Sequence, residues 1–213
     1  MLLIYKAILA AGVISTNLGE IAEISLTIYY SPLTTAMNVR EFFELSAGKW
    51  FSQKTSQHLT LKQSEHGKSD LVIEILPSDH PQVTQLCQQA NIDPSSTWGG
   101  VKYTWKGTIA GDTQIQNAPN QQGESIAIAI PDAPAANTGQ LFHVSTSNAK
   151  TLQIAQYTMG DDDALTLVTA TENLSSSERI WFESNNVRVR TTITTQANGD
   201  ALASFYSEIR MGG

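Results

Sequence analysis

Ser177-Glu178-Arg179-Ile180-Trp181-Phe182-Glu183-Ser184-Asn185-Asn186-Val187-Arg188-Val189-Arg190-Thr191-Thr192 decides the fold. Side chains alternate with a period of two on both sides of Asn185-Asn186, and asparagine tolerates the left-handed backbone of a tight hairpin turn. The segment therefore reads as two antiparallel strands, 177–184 and 186–196. Working outward, the same pattern recurs. Candidate strands fall near 101–109, 124–131, 140–146, 151–159, 163–173 and 201–210, separated by turn signals at Gly111-Asp112, Pro131-Asp132 with Pro134, Asn148-Ala149, Gly160-Asp161, Ser175-Ser176 and Asn198-Gly199. Two earlier runs, Trp50 to Leu61 and Leu71 to Leu76, bring the count of strands to ten. Connections this short make an antiparallel meander. Ten strands hide their sticky edges best by closing into an up-and-down barrel of the lipocalin-like (calycin) kind, which commonly encloses one small ligand.

Two short helices complete this all-β fold. Asn38 offers an N-cap with Glu41 as its capping-box partner, followed by apolar Phe42, Phe43 and Leu45 and ended by Gly48. Pro77 stops the second strand. Ser78 or Asp79 caps the next helix, with Pro81 in its first turn and Val83, Leu86, Cys87 and Ala90 on its packing side.

Composition agrees and narrows the function. In 213 residues the hydrophobic fraction is 41% and the charged fraction only 15%, so Ser, Thr, Asn and Gln carry the polarity, which favours strands. The net charge of −7 (13 Lys and Arg against 20 Asp and Glu) argues against nucleic acid or an anionic membrane as partner. A lone cysteine, Cys87, makes neither an internal disulfide nor a cysteine zinc cage, and it suits a reducing compartment. Residues 1–36 hold Lys6, Glu20 and Glu23 as their only charges. They resemble a weak signal peptide without a cleavage site and contain no membrane-spanning run. The expected division is an N-terminal extension, 1–36, outside the fold and a barrel domain, 37–213.

No Gly-x-Ser-x-Gly elbow is present, and His58, His66, His80 and His143 lack metal-ligand spacing, so neither a serine nucleophile nor a metal is expected. Asp161-Asp162-Asp163 reads as a hairpin turn rather than a calcium loop. The chemistry concentrates in the opening hairpin, which holds three of the five arginines. Arg188, Arg190 and Thr192 share one face, and Glu178 and Ile180 lie on the neighbouring strand within their reach. That row is either a solvated outer face with cross-strand ion pairs or a cavity lining that grips carboxylates of an elongated apolar ligand. Trp105 is either ordinary core or a flat cavity wall. On the strand around Ile126, Ile128 and Ile130, the Ala127 and Ala129 face is nearly bare. That leaves room for a ligand or for a covering helix.

Asn38 to Gln53, Ser177 to Phe182, Val187 to Thr191 and the terminal Ala203-Ser204-Phe205-Tyr206-Ser207-Glu208-Ile209-Arg210 resemble the CpcS/CpeS/CpcU family of phycobiliprotein chromophore lyases, over Met37 to Gly213. The resemblance implies a ten-stranded lipocalin-like barrel that binds a linear tetrapyrrole, a phycocyanobilin-like bilin, non-covalently. It then promotes attachment of the bilin's ethylidene group to a cysteine of a phycobiliprotein subunit of phycocyanin or allophycocyanin type. The bilin is substrate, with no tightly bound cofactor. Family pocket positions fall on Glu178, Arg188, Arg190, Thr192 and Trp105. Of these, Glu178 and Arg188 are expected to be catalytic, and Arg190, Trp105 and Thr192 to bind ligand. Lys54 joins the ligand-binding set; it stands where S-type members usually have arginine, and it keeps the charge but not the fork. The resemblance also implies the cytosol of a cyanobacterium, or a plastid stroma. Three readings of a different kind stay open: a carrier or partner subunit working beside an S-type lyase, a homodimer, and a generic lipocalin-like binder of an apolar carboxylate.

Overall fold

The protein, described here by a computed structural model, is resolved into secondary structure and contacts over residues 36–111, 120–145 and 151–212. Residues 1–35, the expected turn at Asn148-Ala149 and the Asp112 half of the Gly111-Asp112 turn lie outside the described residues.

Ten strands form a closed antiparallel barrel in which each pairs with its chain neighbours and the last with the first. They are β1 (Gly48–His58), β2 (Gln63–Pro77), β3 (Gly99–Gly111), β4 (Asn120–Pro131), β5 (Thr138–Ser145), β6 (Leu152–Met159), β7 (Leu165–Ala170), β8 (Leu174–Ser184), β9 (Val187–Gln196) and β10 (Ala201–Met211). Closure pairs Ser52 with Glu208 and Lys54 with Tyr206, residues more than 150 positions apart in the chain, and it leaves no free sheet edge.

Several expected boundaries shift. Ser175-Ser176, expected as a turn, lie inside β8 paired with Ala170 and Thr169, so the turn is 171–173, and β1 ends at His58 rather than Leu61. β2 begins at Gln63 rather than near Leu71, because Gln63 to Asp70 are small or polar on both faces and give no apolar alternation. β7 is shorter than 163–173, since Asp163 sits in the left-handed region at φ 59° and belongs to the preceding turn. The N-cap of the second helix, α2 (Pro81–Ala90), is His80, whose Nδ1 accepts from the Gln82 amide at 3.2 Å; neither Ser78 nor Asp79 fills that place.

The first helix, α1 (Val39–Ser46), carries the expected capping box: the Glu41 amide donates to Asn38 Oδ1 and the Asn38 amide to Glu41 Oε2. Phe42 and Phe43 turn into one end of the barrel beside Trp50, Ile73, Tyr157 and Leu165. Arg210 ties the helix there, donating from Nη1 to the Ala47 carbonyl and from Nη2 to that of Leu45, both at 2.6 Å. Its Nη1 lies 2.9 Å from where a Cβ on residue 48 would stand, and Gly48 has φ 126°, so glycine is required at the start of β1. Helix α2 packs on the outside. Val83, Leu86 and Cys87 meet Ile126, Ile128, Phe142 and Val144 of β4 and β5. The isoleucine face of β4 is thus the one a helix covers, and its bare Ala127 and Ala129 face looks into the barrel.

Candidate functional site

The barrel interior changes character along its axis. At the α1 end it is filled by Phe42, Phe43, Trp50, Ile73 and Tyr157. Toward the other end the inward positions become small: Ser56, Gly67, Gly107, Gly123, Ser125 and Ser204. Small residues leave the centre unfilled, and a cavity of about 370 Å³ results, a size typical of small-molecule sites. Phe42 and Phe43 close it below, while Leu71, Trp105, Ala127, Leu141, Leu167 and Ile180 give it an apolar wall.

One side of that wall is charged. β8, β9 and β10 lie next to one another, so Glu178, Arg190 and Glu208 converge from three adjacent strands. Arg188 Nε donates to Glu208 Oε2 at 2.6 Å, and Arg190 reaches Glu208 Oε1 with Nη2 at 3.4 Å and Glu178 Oε1 with Nη1 at 3.3 Å. Ser52 adds a hydroxyl donor to Glu208 at 3.3 Å. Aromatic faces flank the cations, Trp50 at 5.0 Å from the Arg188 Cζ and Tyr206 at 3.8 Å from that of Arg190. Burial favours a neutral Glu208, but Arg190 and Arg188 outweigh it and hold the carboxyl below the ordinary range. Burial likewise opposes charge on Arg190, and Glu178 and Glu208 more than offset it. Burial raises the Tyr103 phenol, which lines the cavity, and keeps it a proton-bearing donor. Burial also lowers His143, another lining residue, to a neutral imidazole at pH 7.

Glu178, Arg188, Arg190, Trp105 and Lys54 all line this one cavity. The arginine row therefore faces inward, which excludes the solvated-face alternative. Trp105 lies flat over Gly123: a Cβ there would stand 2.6 Å from the indole Cζ2, so the glycine makes the ring's position possible. Lys54 Nζ rests 5.7 Å from the Tyr206 ring. Thr192 shares the face of Arg188 and Arg190 and pairs in register with Glu178 and Ser204, but it does not line the cavity. Glu208, Tyr103, Tyr206, Ser52 and His143 belong to the site without having been singled out. The signal for Glu208 was its alternation with Ser204 and Tyr206 in the last strand, legible only once β10 is known to lie beside β9.

The arrangement is unfinished in one respect. Arg190 Nε is buried and has no hydrogen-bond partner. A buried donor left unpaired costs about 1–3 kcal/mol, which an entering acceptor recovers. Cys87 is no rival nucleophile: it is buried on the packing face of α2, and burial, with Asp93, pushes its thiol up. Of the Asp161-Asp162-Asp163 turn, Asp162 pairs with Arg179 and Asp163 accepts from the Met37 amide.

Comparison with known proteins agrees with this geometry. A family model described as CpeS-like protein matches residues 38–211. The chain is 42% identical over 176 residues to the chromophore lyase CpcS/CpeS of Thermosynechococcus vestitus, covering 83% of this chain and 94% of that one. It is 31% identical over 175 residues to the phycocyanobilin lyase subunit CpcS of a Picosynechococcus species, covering 82% and 86%. Among solved structures, the S-type phycobiliprotein lyase CPES from Guillardia theta superposes with a TM-score of 0.71 at 25% identity, over 83% of this chain and 94% of that one.

Proposed function

The chain belongs to the CpeS-like family, and from that premise we propose that it is a bilin lyase: its cavity holds a linear tetrapyrrole while a cysteine of a phycobiliprotein subunit adds to it. The observation that carries this reading is the buried, unpaired Nε of Arg190 on the charged side of a cavity whose remaining wall is largely apolar. A bilin is long, apolar and conjugated, and it carries two propionate groups. One propionate satisfies Arg190 Nε and the other reaches Lys54, while Glu178 accepts from pyrrole N–H groups and favours the cationic form of the conjugated system. Trp105 supplies a wall on which a pyrrole ring stacks. Arg188, held by Glu208, fixes the electrostatics beneath the chromophore, and Thr192 supports Glu178 across the strand pair.

The step itself is an addition without redox change. The partner's sulfur bonds to the exocyclic carbon of the ethylidene group, the double bond opens, and the thiol's proton ends on the ring carbon. The protein contributes by positioning the chromophore and keeping water from it. The nucleophile belongs to the partner, which fits an inert Cys87. We place the reaction in the cytosol and the functional unit in residues 37–213, with 1–36 dispensable. No helix among the described residues is long and apolar enough to cross a membrane.

Mixing the protein with phycocyanobilin is expected to red-shift and sharpen the bilin absorbance, and adding an apo-phycocyanin subunit is expected to yield a covalent, denaturation-resistant adduct. Absence of both, even with an S-type partner added, overturns the assignment. A second reading is favoured by the name of the Picosynechococcus relative, a lyase subunit: the chain binds bilin but transfers it only beside a partner subunit. Transfer at full rate without a partner eliminates that version.

A further inference from the structure

We propose that the acceptor protein docks on the tip of the β1–β2 hairpin, with Leu59 and Leu61 as its apolar anchors; the proposal rests on the lyase reading above. The two ends of the barrel are not equivalent. At one, Phe42 and Phe43 form the cavity floor and Arg210 straps α1 in place. At the other, the cavity wall runs out to Gly67, Gly107, Ile109 and Gln121, and the described connections are the turns 59–62, 171–173 and 197–200. A thiol on another protein must come within bonding distance of a chromophore held inside. Among the described residues only this second end admits it, so the acceptor's surface lies against these turns.

The three turns differ in chemistry. Thr171-Glu172-Asn173 and Ala197-Asn198-Gly199-Asp200 consist mainly of the residues turn geometry favours. Leu59-Thr60-Leu61-Lys62 does not. Its leucines are 56% and 61% exposed, the largest exposures among the large apolar side chains described. Nothing in the backbone asks for leucine there; the left-handed position, φ 54°, is occupied by Lys62. The turn is also held firmly, with the Lys62 amide donating to the His58 carbonyl and the Leu59 amide to that of Ala201, both at 2.8 Å. Single exposed leucines are ordinary on protein surfaces. A pair on a pinned tip at the open end of the barrel, with Lys62 as its one charged side chain, is pre-organised to bury apolar area at little ordering cost. The complementary partner surface is an apolar groove with an acidic group at its edge to meet Lys62, next to the reactive cysteine.

The test is the double substitution Leu59→Ser with Leu61→Ser, compared with Ile209→Ser and Met211→Ser, which lie on the outer wall at the α1 end. Both pairs are exposed, so folding is spared. The expected result is unchanged phycocyanobilin absorbance on binding for both, a KM for the apo-phycocyanin subunit raised roughly tenfold in the leucine pair alone, and unchanged kcat at saturating acceptor. An unchanged KM in the leucine pair, or an equal rise in both pairs, overturns the docking site while leaving the lyase reading intact. Failure of the unaltered protein to shift the bilin spectrum and to transfer it overturns both.

Discussion

Arg188 donates to Glu208 across the β9–β10 pair at 2.6 Å, and both side chains are almost wholly buried. Glu208 also faces Arg190, so one carboxylate serves two guanidiniums inside a cavity. Removing one partner of a buried pair costs far more than replacing both with apolar groups, because the remaining charge is left uncompensated. Glu208→Gln is therefore expected to lower the unfolding free energy by about 3–5 kcal/mol. The double substitution Arg188→Met with Glu208→Leu is expected to recover most of that stability while losing bilin binding. Urea unfolding with a bilin titration on each variant checks both statements, and a double variant less stable than Glu208→Gln would contradict them.

The cavity's pH response follows from His143. Burial lowers its folded value, so on acidification the unfolded chain takes up this proton first, near the ordinary value of about 6.5. Stability contributed by neutral His143 is thus complete above that value and is lost as pH falls toward the lower folded one. Glu208 acts on the same side of neutrality but further down, below the ordinary carboxylate range, where its protonation uncouples both arginines. Unfolding free energies at pH 7.5 and 5.5 are expected to differ less in His143→Gln than in the unaltered protein. An identical pH slope in the two would show that His143 contributes nothing.

These groups were unequally visible in the sequence. The hairpin at Asn185-Asn186 and the meander around it were legible because turn residues and period-two alternation are local signals. Which face of a strand points inward was not. On β10, Phe205 and Ile209 are outside, 49% and 48% exposed, while Ser204, Tyr206 and Glu208 point inward, the reverse of the usual apolar-in pattern. A barrel interior that houses buried ion pairs inverts the rule the alternation is normally read by. Glu208 stayed hidden for the same reason, since its partners lie on strands whose adjacency becomes certain only on closure. The residues preceding Leu71 were missed as strand because the small side chains that make room for the cavity give no apolar signal.

Trp105 and Gly123 are opposite one another on β3 and β4, with the indole occupying the volume a side chain at 123 would need. Gly123→Ala is expected to push the ring into the cavity, costing about 1–3 kcal/mol as an overpacked site does. The clearer signature is spectroscopic: a weaker bilin affinity with an altered absorbance maximum, because the pyrrole ring proposed to stack there is displaced. Trp105→Phe, which keeps a flat but smaller wall, is expected to bind better than Gly123→Ala. The reverse order of affinities would remove Trp105 from the chromophore's surroundings.

Lys54 sits on β1 opposite Tyr206, near the same aromatic ring that flanks Arg190. A lysine, as a point charge on a flexible stem, attracts a carboxylate without fixing its orientation, whereas an arginine presents two parallel donors. Lys54→Ala is expected to weaken bilin binding roughly tenfold, the scale of one partly desolvated charge contact. Lys54→Arg is expected to bind at least as tightly and to raise the rate of transfer measured without a partner subunit, because the chromophore is held in fewer poses. The comparison separates two roles for this position. If Lys54→Arg improves binding but leaves unaided transfer unchanged, Lys54 sets affinity alone, and dependence on a partner must come from elsewhere in the barrel. If neither substitution changes binding or transfer, the second propionate does not reach β1, and the ligand's orientation in the cavity must be redrawn with Arg190 as its single anchor.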